Sequence, residues 1–424
     1  MATAFELRRD HAANPKDTID AQDDTAIAVE ELHDRGALSS LRADLVRLAD
    51  AMRAAGWTKG PFLTPEWLSI YAASLCDAHD AARAGDFRLL IAHRAGRVVA
   101  ALPLVAERRR LAGVPARALR ALSDDHSQRF DLLLDPAHAD EAARALVTHL
   151  QRARDWDAVE LQSILDGEPA AGNAGVAADQ RRANAAAHTF VAAASAAGFP
   201  VGEWRSMSSP YLPLPSTPAA LDKQQGSKFR GNLRRRAKKL EADVGPITLE
   251  RIDGSGLDAV QLDAILDEGF ALEAAGWKGD AGTAIACDAR LIARYRALAH
   301  AFAARGELAC YFLRAGTRRV AFHYALVDRD TYYLFKPGFD PALASYGLGH
   351  LLVDAVARDL IARGIRELDF LGDDMPWKRD WTDQLRPHSF RYLFAPTARG
   401  RALAAWKFRL APAAKRLWSR LHRS

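Results

Sequence analysis

Apolar residues recur along this chain with two alternating periods. Leu41, Leu45, Leu48 and Met52 share one face at helical spacing, which predicts a helix from about Ser39 to Ala55. Gly56 and the Pro61–Pro65 stretch end it, and Pro65, preceded by Thr64 as a cap, suits the first turn of a helix over 65–75. Short β-rich runs then take over. FRLLIAH (87–93) and RVVAALPLVAE (97–107) flank Arg94-Ala95-Gly96, a hairpin signal. A third strand is expected over 129–136, a helix over 139–153 and a fourth strand over 157–164. The Gly/Ala-rich stretch 166–187 reads as a surface insertion, and a short helix (188–197) and the Pro-studded YLPLPSTP lead onward.

After residue 226 the order recurs. A helix over 227–242 precedes a strand (247–252), helices around 258–272 and 288–304, and a strand–Ala-Gly turn–strand unit over 307–327. A strand (331–339), a helix (350–364) and strands over 365–372 and 388–396 complete the pattern. The two Ala-Gly turns lie 220 residues apart, and each hairpin is followed by strand, helix, strand. The chain therefore reads as a duplication of mixed α/β lobes, each an antiparallel hairpin meander with one helical crossover onto a parallel neighbour. The expected division is a loose leader (1–36), a first lobe (37–225), a second lobe (226–397) and basic amphipathic helices (398–424).

Composition adds little until it is split by position. Of 424 residues 49% are hydrophobic and the formal net charge is +5. That excludes a chain disordered throughout. Residues 228–239 hold seven cations and 399–424 eight, neither with an anion, so the remainder is acidic. Local charge implies a local anionic partner. Lys228, Arg234, Arg235, Lys238 and Lys239 surround most of the first basic helix, which suits a polyanion or a solvated face. In the second, Leu403, Trp406, Leu410, Leu417 and Leu421 form a stripe beside cations, as in helices that lie on anionic membranes or dock against a sheet. No signature of sequence-specific nucleic-acid binding occurs. Cys76, Cys287 and Cys310 have neither disulfide-framework nor zinc-site spacing, and no metal is expected. The opening residues hold no apolar run of signal-peptide length and no 18-residue uncharged apolar run occurs, so a cytoplasmic protein is expected, with the tail as a contact to the inner membrane face.

The densest chemistry lies over 331–378. Pro337 and Gly338 interrupt a strand and can splay it from its neighbour. Gly347 and Gly349 open a helix whose free amides and dipole favour phosphate. Acyl transfer needs a base for the acceptor proton and an N–H for the oxyanion. Base candidates are Asp369, whose burial in an apolar strand would raise its pKa, Asp373 just past that strand, Glu273 and His323. Each also has a structural reading, as a cap, an orienting group or a packed side chain. Lys378 could bind phosphate or carboxylate. Trp277 and Lys278, in a Gly-rich loop, could stack on a sugar or base and bind phosphate.

The meander, the interrupted strand, the Gly-x-Gly helix start and the strand after it resemble the GNAT acyltransferase superfamily. Leu368-Asp369-Phe370-Leu371-Gly372-Asp373-Asp374-Met375-Pro376-Trp377-Lys378 is similar to the closing signature of CelD-type acetyltransferases, associated by name with cellulose and exopolysaccharide biosynthesis, as are the 273–285 segment and the basic helix. The resemblance implies tandem GNAT-like lobes with acyl-CoA as donor, its pyrophosphate on Tyr346, Gly347, Leu348, Gly349 and His350. Its pantetheine would lie along Leu334, Phe335 and Lys336, one of whose amides would hold the oxyanion. Trp277, Lys278, Lys378 and Arg234 are then expected to bind the acceptor, an amine or hydroxyl of a sugar or lipid-linked polysaccharide precursor. The first lobe, without a Gly-x-Gly loop, is expected to be non-catalytic. Two departures stand out: Ala344 where such loops carry Arg or Gln, and Trp377 near where many GNATs place an acid tyrosine. The tandem layout also resembles Fem-type peptidyltransferases, which use aminoacyl-tRNA. A non-catalytic scaffold in polysaccharide biosynthesis is the third reading.

Overall fold

The computed structural model describes residues 26–76, 85–153, 155–166 and 184–421. All 13 strands join one sheet. The first half supplies β1 (Ile27–Leu32), β2 (Asp86–Arg94), β3 (Arg97–Leu111), β4 (Val114–Ala121), β5 (Leu133–Leu134), β6 (Ala158–Leu165) and β7 (Val201–Pro213). The second supplies β8 (Ile247–Ile252), β9 (Cys310–Ala315), β10 (Arg318–Asp328), β11 (Thr331–Phe339), β12 (Glu367–Asp369) and β13 (Leu385–Phe394). Both hairpins form as the Ala-Gly turns predict, β2 on β3 and β9 on β10. Ala95, at positive φ, and Gly96 make the first turn.

The order across the sheet is β1-β2-β3-β4-β6-β13-β7-β12-β11-β10-β9-β8, with β5 beside β3. Read from both ends it is a palindrome. Each half runs through a meander, crosses by a helix (Ala139–Arg152 or Leu348–Ala362) and adds a parallel strand, β6 beside β4 or β12 beside β11. At the centre the final strands change places: β13 pairs with β6 and β7 with β12, while β7 and β13 pair with each other. Neither half of the sequence therefore completes its own part of the sheet.

Several expectations change here. Residues 27–32 of the predicted leader form edge strand β1; residues 1–25 lie outside the described residues, as do 167–183 of the predicted insertion. The strand expected over 129–136 shrinks to Leu133–Leu134. Strands β4 and β7 carry no clear local signal, and the prolines of β7 read as loop.

Packing ties the halves together. Leu266, Phe270, Tyr295 and Phe302, from helices Ala259–Ala274 and Ala289–Ala304, share one core with Phe62 and Trp67 of the first half. On the other face Leu352, Val356 and Leu360 of the crossover helix pack with Leu233 and Leu240 of the basic helix Ser227–Asp243. The duplicated halves thus form one body.

Candidate active site

Strand β11 runs beside β12 only over Thr331–Tyr333, opposite Glu367–Asp369, and then leaves it while staying on β10. The pairing with β10 shifts register between Tyr324 and Ala325, where Phe335 gains no direct opposite. Such a bulge bends a strand. Pro337 and Gly338, expected to interrupt the strand, stay paired with His323 and Phe322 of β10; the irregularity lies at Phe335. Gly338 has a different role: a Cβ there would stand 2.5 Å from the backbone of Glu273, so only glycine lets the helix end seat against β11. Past Tyr333 the edge of β11 that faced β12 has no strand partner, and this unpaired notch runs over Leu334–Phe339.

One side of the notch is built for an anion. Gly347, at φ +66°, caps the crossover helix, whose first amides lie outside its hydrogen-bond ladder. The basic helix crosses this turn. Arg236 lies over Gly347 so closely that a Cβ would come within 2.6 Å of Nη1, and Lys239 covers the Tyr346 ring at 5.4 Å. Tyr346 Oη donates to Asp243 at 2.8 Å. A cation thus stands over this turn from another element, Arg236, while position 344 is Ala. His350 Nδ1 accepts from Trp381 Nε1 at 3.1 Å, and Phe229 packs edge-on against both rings. His350 is thereby a buttress of the turn, with its pKa lowered by burial. Arg234 projects from the exposed side of the same helix, within reach of Asp222 rather than the notch.

The other side gathers lysines. Lys278 Nζ donates to Pro337 O at 3.0 Å and lies 3.2 Å from Glu273 Oε1. Glu273 is buried and its Oε2 accepts the Ile285 N–H at 2.8 Å. Lys378, buried, donates to Leu371 O at 2.5 Å and Asp373 O at 2.8 Å, which shapes the loop after β12. Lys336 stands over the Tyr295 ring at 5.7 Å. Burial pushes both Lys336 and Lys378 down to about 8, and lowers Lys278 despite Glu273. From the first half, His126 Nδ1 meets Tyr295 Oη at 3.1 Å. Burial, aided by Lys336, pushes His126 down to about 4. Asp124 accepts from Arg294 at 2.5 Å.

Among the predicted bases, three are otherwise engaged. Asp369 is wholly buried and its Oδ2 accepts from Arg129 and, at 3.0 Å, from Arg386, whose other nitrogen holds Glu367 at 2.7 Å. Burial alone would raise its pKa, as expected from sequence, but the two guanidiniums outweigh it and the pKa is lowered. Asp369 is an ion-pair centre, not a base. Glu273 is fixed by Ile285 and Lys278. His323 faces the opposite core, 3.3 Å from Tyr332 Oη, and burial pushes it down to about 3. Asp373 is exposed at the mouth of the notch and stays reachable. The side chain of Trp277 lies outside the described residues, and Trp377 packs edge-on against Phe370. Sequence reasoning missed Arg236, His126, Arg129 and Arg386. Arg129 was not findable from spacing, because it meets Asp369 across 240 residues.

Residues 227–379 match the family model of an acetyltransferase (GNAT) domain. The second half of the chain carries a GNAT fold. FemX has a crystal structure similar to this chain at TM-score 0.50 and 10% identity, with 86% of this chain and 98% of that one covered. A tandem GNAT protein from the clavulanic acid biosynthesis pathway aligns at TM-score 0.42 and 14% identity, over 87% and 98%. The C-terminal domain of a protein assigned as a lysylphosphatidylglycerol synthetase from Agrobacterium fabrum aligns at 0.46 and 12%, over 86% and 95%. No curated protein matches the sequence. The GNAT domain supports a transferase, and acyl-CoA is the donor that GNAT domains generally use. Among the described residues no cluster of His, Cys, Asp and Glu could hold a metal, and no helix is long and apolar enough to cross a membrane.

Proposed function

We propose that the chain transfers an acyl group from acyl-CoA directly to an amine or hydroxyl of a sugar or lipid-linked polysaccharide precursor. The reading rests on one arrangement: an anion cradle made by Arg236 and the Gly347 turn, and a lysine-lined cleft, flank the same splayed strand. The residues fit the donor. Arg236 and the helix amides would hold its pyrophosphate, and the free edge of β11 past Tyr333 offers amides to pantetheine and to the oxyanion. Bound there, the donor supplies an activated thioester carbonyl. The acceptor would enter from the side of Lys278, Lys336 and His126, which suits a substrate carrying phosphate or carboxylate. Its attacking N or O forms the new bond, the thiolate leaves, and the acceptor proton goes to Asp373. Buried Cys310, its thiol pushed up to about 12 by burial, is no nucleophile.

Titration calorimetry with CoA and short acyl-CoAs tests the donor. Saturable binding weakened by Arg236→Ala is expected; no heat with any of them would sink the reading. A Fem-like aminoacyl transferase is the second reading, favoured by the FemX-like fold and the exposed cations Arg234, Arg235 and Lys238. It requires co-purifying RNA whose binding falls steeply with salt.

The tail supports a membrane-borne acceptor. Leu403 and Phe408 dock on Tyr392 and Phe394, and the helix passes Pro412 through a wider turn at Trp406–Leu410. Leu410 and Trp418 are left 56% and 63% exposed among Lys407, Arg409, Lys415 and Arg416, near Trp204 at 53%. Apolar groups among cations complement an anionic lipid surface.

A further inference from the structure

The turn after β12 takes a shape that its own residues do not favour. Leu371 stands at φ +48° and Gly372 follows at +58°. Glycine adopts that conformation freely, but in leucine the Cβ then crowds the following carbonyl. Among the described residues no other branched aliphatic side chain has positive φ. Such a conformation persists only where its surroundings hold it. Here both polar groups of the residue are held. The Leu371 N–H donates to Asp369 Oδ1 at 2.9 Å, and its C=O accepts from Lys378 Nζ at 2.5 Å. Lys378 also donates to Asp373 O at 2.8 Å, so one buried ammonium ties the turn at two points.

The hold on the N–H side reaches into the first half of the chain. Asp369 Oδ2 accepts from Arg129, whose guanidinium lies over the rings of Phe62 and Tyr333 at 5.8 and 5.3 Å. Gln128 borders the same turn: a Cβ on Gly372 would stand 3.5 Å from its Oε1. What the turn carries is Asp373. Its neighbour Asp374 is paired with Arg379 at 2.7 Å, whereas the exposed Asp373 carboxylate forms no ion pair among the described residues.

We propose that Lys378 and, through Asp369, Arg129 are positioning residues for Asp373: they hold Leu371 in its left-handed turn and so set the direction of the Asp373 carboxylate. The inference rests on Asp373 as the group that takes the acceptor proton in the transfer proposed above. Lys378, expected from sequence to bind the acceptor, instead directs its donors at two carbonyls of this turn. Arg129 gives the first half a part in the reaction that needs no ligand site of its own. Neither cation touches the reacting atoms; both act through the backbone at Leu371.

Two measurements on the full chain test this: amide hydrogen exchange over 371–374, and thiol release from acetyl-CoA with glucosamine 6-phosphate as the probe acceptor and with water alone. Exchange over the turn should be about tenfold faster in Lys378→Met than in the wild-type chain. The same is expected of Arg129→Met, in which Asp369 keeps Arg386 as its partner. In both variants kcat should fall about tenfold or more at an unchanged KM for acetyl-CoA. Asp373→Asn should lower kcat about a hundredfold. Adding Lys378→Met to it should lower kcat no further, since a residue that acts through Asp373 then has nothing left to position. A lysine needed only for folding would lower kcat by the same factor in both backgrounds, and that result would overturn the proposal. Unchanged exchange over 371–374 would also overturn it, at the clamp alone and whether or not the probe turns over. Full activity in Asp373→Asn would overturn it by removing the proton acceptor itself, a failure that belongs to the transfer reading. Arg129→Met decides the matter if Lys378→Met does not fold.

Discussion

Arg129 and Arg386 both donate to a single oxygen of Asp369, and the carboxylate has no exposed surface. Removing the charge leaves two buried guanidiniums without their shared partner, which costs about 3–5 kcal/mol. Asp369→Asn should lower the urea midpoint accordingly; loss of activity at an unchanged midpoint would instead restore it as a base. The buried histidines act in the opposite sense to a pH-tolerant core. Burial holds His323 and His388 neutral, each pushed down to about 3, whereas an unfolded histidine titrates near 6.5. The unfolded chain therefore binds more protons between about pH 6.5 and 3, so stability is complete above 6.5 and falls as pH drops. Urea midpoints at pH 7 and 5 should show the loss, and His323→Gln should reduce it. At this scale the sequence named Asp369 and His323 with a structural reading beside the catalytic one, and missed only the direction of the Asp369 shift. Local pattern tells that a residue is buried, not which charges bury it.

At the scale of elements, an irregularity in β11 was legible, although it falls at Phe335 while Pro337 and Gly338 keep their pairing with β10. The reason for Gly338 was not, since it lies in Glu273, on a helix 65 residues upstream in the chain. Gly338→Ala should push that helix from the strand, cost about 1–3 kcal/mol as overpacking does, and misplace the Glu273–Lys278 pair. A lower melting temperature with weakened acceptor binding checks it; an unchanged melting temperature would show that the helix shifts freely. The anion turn was legible in Gly347 and Gly349 and a polyanion in the basic helix, but not that Arg236 of that helix lies over the turn. Strand β7 was missed for a related reason. Pro210 and Pro213 read as loop, but Pro210 O accepts the Phe370 N–H at 3.1 Å, and the strand is fixed by β13 and β12 on its two sides.

For the whole molecule, duplication was visible in the hairpins, whereas the exchange of final strands was not, because neighbour choice in a sheet leaves no local period. The tail extends the same body toward a surface. Deleting residues 411–424 should abolish co-sedimentation with vesicles containing anionic lipid while acyl-CoA binding persists, and neutral vesicles should not retain the full chain. Equal retention on both would assign the exposed Leu410 and Trp418 to another role.

The palindromic sheet also sets a schedule for the nascent chain. When β6 and β7 leave the ribosome, their central neighbours have not been made; β12 follows more than 150 residues after β7, and β13 later still. Through that interval the first half exposes open strand edges that invite wrong pairing. The strand that closes the first half, β13, is thus made after every other strand among the described residues, and completion of this sheet waits until it has been synthesised.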